Sequence, residues 1–318
     1  SVSHYRDDFI ESIFKRHHLA AIVSILLAFL FLILVGFFLD KPFFEMPAAA
    51  SVVIFFSLMI ALIGALAYFL QSWSLPAAIL LLLFFNFLFE NGYLDPRNKA
   101  YGLEYPNNDL RPKYDPGSLN AICSADILQK DKEQMISVLN KWKTRQDSAK
   151  PLMIFINVSG GGLRSSAFTM HAMQKLDSML HGKLMKKTFL ISGASGGMLA
   201  ATYYRELYRR KIHGASIHLS SPQYLNNITG DLLNSVFSSM MARDLMASSL
   251  KFSVGNNKYI KDRGYAFEKK LSENTNDILN VQLKNIQKDE ADATVPLLLF
   301  NAVVKENRKK MMQNNDLY

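Results

Sequence analysis

The chain has 318 residues, a formal net charge of +9 and 49% hydrophobic residues, a length that allows two structural units. Its one cysteine, Cys123, excludes an intrachain disulfide framework and a cysteine-rich metal site. The charge points to an anionic partner, and with no zinc-ligand spacing, no aromatic RNA-binding signature and no basic recognition helix that partner is a lipid surface, not nucleic acid.

After a polar flank at residues 1–18, residues 19–39 form an uninterrupted apolar run. Such a run crosses a hydrocarbon core of about 30 Å at about 1.5 Å per residue. Residues 48–70 form a second run of similar length, with Gly64 and several alanines offering surfaces for close helix contact. The run at 75–89 is shorter: it spans, as 73–89, if Trp73 and Ser74 belong to it or if the bilayer thins, and is otherwise re-entrant. Residues 19–90 are therefore read as an all-α transmembrane region of two to three helices in a multi-pass integral membrane protein. Asp40-Lys41-Pro42-Phe43 is not a small-residue cleavage site, which argues against a signal peptide. Arg6, Lys15 and Arg16 precede the first span, and Lys41, Arg97 and Lys99 fall on the opposite face if there are three, so flanking charge leaves the sidedness open.

Residues 91–150 read as a connector, with turn-forming clusters at 101–108 and 115–118. Within it, Ile127, Leu128, Met135, Ile136, Leu139 and Trp142 recur at helical spacing and predict a helix docked on the domain that follows.

That domain, residues 151–318, opens with the apolar, β-rich run 152–158, the pattern of a parallel strand buried on both faces. Ser159-Gly160-Gly161-Gly162-Leu163-Arg164 follows at once, and then an amphipathic helix ending at His181-Gly182. Consecutive glycines let backbone amides approach a ligand closely, and the helix N-terminus adds positive potential, so this loop can hold a phosphate or an oxyanion. Neither nucleotide fingerprint is present. A second strand, residues 187–192, runs into Gly193-Ala194-Ser195-Gly196-Gly197, which satisfies Gly-x-Ser-x-Gly, and a further helix begins there. A serine on such a strand-to-helix turn projects its hydroxyl from the end of the sheet. Ser195 is the candidate nucleophile.

Together, Gly160-Gly161-Gly162-Leu163-Arg164 and Gly193-Ala194-Ser195-Gly196-Gly197 resemble the signature of patatin-like phospholipases, which share their fold with cytosolic phospholipase A2. Residues 262–268 and 295–302 resemble stretches of bacterial members, which implies a bacterial inner membrane. The resemblance implies a three-layer α/β/α domain hydrolysing lipid acyl esters with a serine-aspartate dyad and no cofactor. On it, Ser195 is the nucleophile, Gly160, Gly161 and Gly162 form the oxyanion loop, Arg164 is the basic residue after them, and Gly193 and Gly197 support the serine turn. Members carry the aspartate in a downstream Asp-Gly turn, and this sequence has no Asp-Gly pair. The acid is therefore expected outside these residues, with Asp231, Asp244 and Asp316 as poor substitutes. A second reading is a catalytically silent patatin-like subunit that serves as a scaffold for membrane-protein partners.

Two other features invite interpretation. No histidine follows His218, which disfavours a serine-histidine-aspartate order, and no His-Glu-x-x-His spacing suggests a metal. The methionine-rich apolar face at residues 232–246 reads as a helix packed on the sheet, or as a pliable wall for acyl chains.

Overall fold

The computed structural model describes residues 7–41, 46–91, 115–244 and 250–301. Three apolar helices come first: α1 (Asp7–Phe38), α2 (Ala48–Leu70) and, after one 3-10 turn, α3 (Ser74–Glu90). Next come α4 (Pro116–Ile122), α5 (Ala125–Thr144), β1 (Ile154–Val158), α6 (Gly162–Met179), α7 (Leu184–Lys187), β2 (Thr188–Gly193) and α8 (Ser195–Ile212). The remainder is α9 (Pro222–Ile228), α10 (Leu233–Ala242), the hairpin of β3 (Lys251–Val254) and β4 (Asn257–Ile260), α11 (Arg263–Asn274), α12 (Gln287–Ala291) and β5 (Leu297–Phe300). Helix and sheet are thus mixed, in two compact units that are each discontinuous: Ser1–Tyr105 with Asp231–Lys270, and Pro106–Gly230 with Leu271–Tyr318.

In the first unit, Arg16–Phe38, Ala48–Tyr68 and Gln71–Leu88 are long and apolar enough to cross a membrane. Their large side chains point outward, as in Leu26, Ile60 and Leu80. Such exposure suits lipid and is unfavourable in water by about 1.5–3 kcal/mol for each side chain left unburied. What the helices do bury is a small cluster of Leu32, Val35, Leu58 and Ala242, and Ala242 belongs to α10. The segment expected to lie on the sheet therefore packs on α1 and α2 instead. The physical reason is that residues 232–242 carry no charge, so an apolar helix surface satisfies them as well as a sheet does.

In the second unit, β1, β2 and β5 form a parallel sheet in the order β1-β2-β5, with Ile156 opposite Ile191 and Ile191 opposite Leu298. Ile191, on the central strand, is fully buried. β1 departs from the sequence expectation. Among the described residues it is an edge strand whose Phe155 is 62% exposed, so only one of its faces is covered by them. α6 and α8 pack closely on each other, and Tyr203, Tyr204 and Leu207 of α8 are fully buried.

α5 also departs from its expectation. Its apolar stripe does not dock as a whole, since Ile127, Leu128, Met135 and Ile136 are exposed. Among the described residues only its C-terminal end is engaged: Trp142 is buried edge-on to Phe189, Lys141 pairs with Asp292 at 3.0 Å, and the Arg145 Nε–H donates to the Asp292 carbonyl.

The C-terminal half of α8 is held by ionic contacts. Arg205, 1% exposed, donates to the Pro296 carbonyl at 3.0 Å and pairs with Glu290, while Arg209 bridges Glu206 and Asp289. Because Pro296 immediately precedes β5, this network fixes the last strand against the helix that begins at Ser195.

Candidate active site

The sheet brings two strand-to-helix turns side by side. β1 ends at Val158 and the chain passes through Ser159–Gly161 into α6; β2 ends at Gly193 and passes through Ala194 into α8. Parallel pairing puts Val158 opposite Gly193, so both turns leave the same end of the sheet. Both helix N-termini, with their unpaired amides and positive potential, are thereby brought to one edge.

Each turn needs its glycines for a distinct reason. Gly161 at φ 144° and Gly162 at φ 58° occupy backbone conformations that side-chain-bearing residues rarely adopt. Gly193, Gly196 and Gly197 meet a different limit, which is space. A Cβ on Gly193 would run into the Val158 carbonyl, one on Gly196 into the Gly162 carbonyl, and one on Gly197 into the Ser159 carbonyl. The five-residue motif around Ser195 is thus the condition for the two turns to touch.

Ser195 itself has φ 56°, the left-handed region, although it is not glycine. Holding such a residue there costs about 1–3 kcal/mol, and it persists only where the surroundings enforce it. Strain of this kind collects at functional sites, and a strained serine on a strand-to-helix turn is the geometry of a nucleophile elbow. The serine is exposed, and a Cβ built on Gly160 would lie 3.1 Å from its Cβ and 3.5 Å from its Oγ. Gly160 therefore leaves open the space directly against the hydroxyl. The structure brings Gly160, Gly161, Gly162, Gly193, Ser195 and Gly197 together, and it leaves Arg164 exposed on the first turn of α6, without an ion pair among the described residues.

Three supporting residues carry no recognisable sequence signal. The Ser166 hydroxyl, 2% exposed, lies 2.8 Å from the Gly196 carbonyl and 3.3 Å from that of Gly162, and so bridges the glycine loop to the serine turn. Ser165 donates to the Ser159 carbonyl at 2.6 Å. Past the end of β5, the Asn301 backbone N–H donates to the Gly193 carbonyl at 2.9 Å and its side-chain amide lies 3.1 Å from the Ser192 hydroxyl. Only the serine pair following the glycines could have hinted at this, and serines in a first helical turn are too common to single out.

Among the described residues no carboxylate hydrogen-bonds Ser195. Asp231 accepts from the Leu233 N–H, Asp244 pairs with Arg263 at 2.9 Å, and Asp316 lies outside the described residues. His213 faces Asp289 at 3.1 Å near the C-terminal end of α8, a helix length away from Ser195. That pairing, with Arg209 beside it, holds the Asp289 carboxyl below its usual value against the opposing effect of burial. No group of three potential metal ligands occurs among the described residues. Chemically, the arrangement offers an accessible hydroxyl beside a donor-rich loop where negative charge can develop.

Compared with protein-family models, curated proteins and solved structures, the chain finds no match.

Proposed function

We propose that this protein is a membrane-anchored serine acyl hydrolase of the patatin-like phospholipase type, cleaving acyl esters of bilayer lipids. The observation that carries the reading is Ser195 at φ 56° on the turn between β2 and α8, with Gly160 directly against its side chain. In the proposed reaction the Ser195 hydroxyl attacks the ester carbonyl and gives up its proton to a general base. Loop amides at Gly160, Gly161 and Gly162 stabilise the oxyanion, the alcohol leaves, and water then cleaves the acyl-enzyme. The base in this proposal is an aspartate from residues outside the described ones, completing a three-layer domain of which β1, β2 and β5 are part.

The membrane part of the proposal is three crossings. It is supported by contacts inside the first unit: the Asn234 and Ser238 side chains bond backbone at Ala48 and Met46, and Lys261 pairs with Asp40. Residues 231–270 follow α3 in the chain yet meet the connection between α1 and α2. For chain beyond α3 to return to that face, α3 has to cross.

A fluorophosphonate probe in native membranes tests the chemistry: labelling of the wild type and none of Ser195→Ala is the expected result. Equal labelling of the alanine variant would remove Ser195 from the mechanism. The second reading, a silent scaffold, is favoured by a Ser195 hydroxyl that no carboxylate meets among the described residues, and it predicts that even the wild type stays unlabelled.

A further inference from the structure

We infer that α10 is a membrane-embedded element, running from the interfacial boundary of the bilayer inward along α1 and α2 with its outer flank in lipid. The inference rests on α1 and α2 being in a bilayer and is independent of the hydrolase reading.

The first argument is the polarity of α10, which is reversed with respect to a water-facing helix. Its polar side chains point inward: Ser238 and Ser239 are 1% and 0% exposed, and Ser238 donates to the Met46 carbonyl at 3.0 Å. Asn234 accepts from the Ala48 N–H at 2.8 Å and caps the start of α2. The outer flank is apolar, with Leu233 56% exposed and Val236, Phe237 and Met240 half-buried, and only the small Ser235 among them. No charge occurs between residues 232 and 242. A helix in water places its charges outside and its apolar groups inside, whereas one beside lipid does the opposite.

Depth is the second argument. Ala242, the last residue of α10, packs with Leu32, Val35 and Leu58, and a Cβ on Gly36 would collide with the Ala242 carbonyl. Leu32 lies a little over two helical turns before Asp40, about 12 Å at about 1.5 Å per residue. α10 therefore runs alongside the hydrophobic stretches of two candidate spans, with small residues allowing close approach as membrane helix contacts do.

The third argument is what lies at the end of this stretch. Arg243, 1% exposed, follows α10 directly and reaches back, donating to the Gly36 carbonyl at 3.0 Å and to Asp40 at 3.1 Å. Lys261 completes the group at 2.7 Å from Asp40. Charges resume where the apolar run of α1 stops, marking the headgroup level.

The test uses the full chain in phosphatidylethanolamine and phosphatidylglycerol vesicles, in a Cys123→Ser background because Cys123 is exposed. Nitroxide labels are placed by Leu233→Cys and Phe237→Cys, with Ser148→Cys as an exposed control. Leu233 projects outward, so its replacement leaves packing intact, and a thermal unfolding scan checks each variant. Positions 233 and 237 are expected to give a higher ratio of oxygen to water-soluble nickel-chelate accessibility than position 148. A ratio equal to that of position 148 would put α10 in water, and protection from both reagents would mean protein cover; either result overturns the inference.

Discussion

Gly196→Ala probes the contact between the two turns with a single methyl group. The added Cβ would lie 2.8 Å from the Gly162 carbonyl carbon and 2.9 Å from the Ser166 hydroxyl, and it would overlap the Gly162 carbonyl oxygen. Ordinary contact begins at 3.4 Å, so the glycine loop has to retreat from the serine turn by more than half an ångström. Gly162 is backbone at φ 58° and cannot swing aside as a flexible side chain would. Overpacking of this kind costs about 1–3 kcal/mol in stability. Its effect on chemistry should be larger in proportion, because a displacement of about 1 Å in a catalytic constellation costs about 10²-fold in rate. The rate of fluorophosphonate labelling, measured beside a thermal unfolding curve, separates the two effects. The expected result is a folded protein whose labelling rate falls by about 10²-fold. Wild-type labelling by a stably folded Gly196→Ala protein would refute the claim that the glycine loop serves Ser195.

Two further predictions concern the first unit. Asp40→Asn removes the counter-charge of buried Arg243, and since Asp40 keeps 22% of its side chain exposed the expected loss is about 3 kcal/mol, at the low end for a broken buried pair. Burial alone would raise the Asp40 carboxyl, but the hydrogen bond from Lys261 and the charges of Arg243, Lys261 and Lys269 outweigh it and hold it below its ordinary value. Its stabilisation is then complete above the ordinary aspartate value, about 3.9, and is lost as pH falls through the lower folded value. Melting temperatures of the wild type and Asp40→Asn in mild detergent should therefore differ at pH 7 and converge in acid; a constant gap would contradict the pairing. The last prediction is that a protease site inserted between Tyr105 and Pro106 and cut in membrane vesicles does not free the C-terminal fragment, which stays with the membrane pellet through a carbonate wash. Release of that fragment would show that residues 231–270 hold no membrane attachment of their own.

The parts legible in the sequence are those whose cause is local. Run length alone marks the three apolar helices, and consecutive glycines at 161 and 162 advertise left-handed backbone by their residue type. Gly-x-Ser-x-Gly likewise announces a tight turn, because its flanking glycines are needed for lack of space. What is not legible depends on partners far away in the chain. The run at 152–158 reads the same whether its second face is covered or open, which is why its pattern places Phe155 inside while the fold leaves it outside. A methionine-rich stripe has one pattern against a sheet and against an apolar helix, so periodicity does not reveal the place of α10. Ser166 and Asn301 brace the site through carbonyls up to 108 residues away, and no local pattern signals that.

The cap that Asn234 provides to α2 also imposes an order on biogenesis. The two bonded residues are 186 positions apart. At a ribosomal pace of about 5–20 residues per second, roughly 10–40 s separate the emergence of Ala48 from that of Asn234. In the proposed membrane topology the first two helices enter the bilayer through that interval with the Ala48 amide without its Asn234 acceptor and the notch at Gly36 unfilled. Their insertion therefore has to stand on hydrophobicity alone, and the docking of α10 is a late, post-insertion step. In that topology a full-length chain sampled before docking is inserted but unlatched, and crosslinking between positions 32 and 242 distinguishes it from the finished protein.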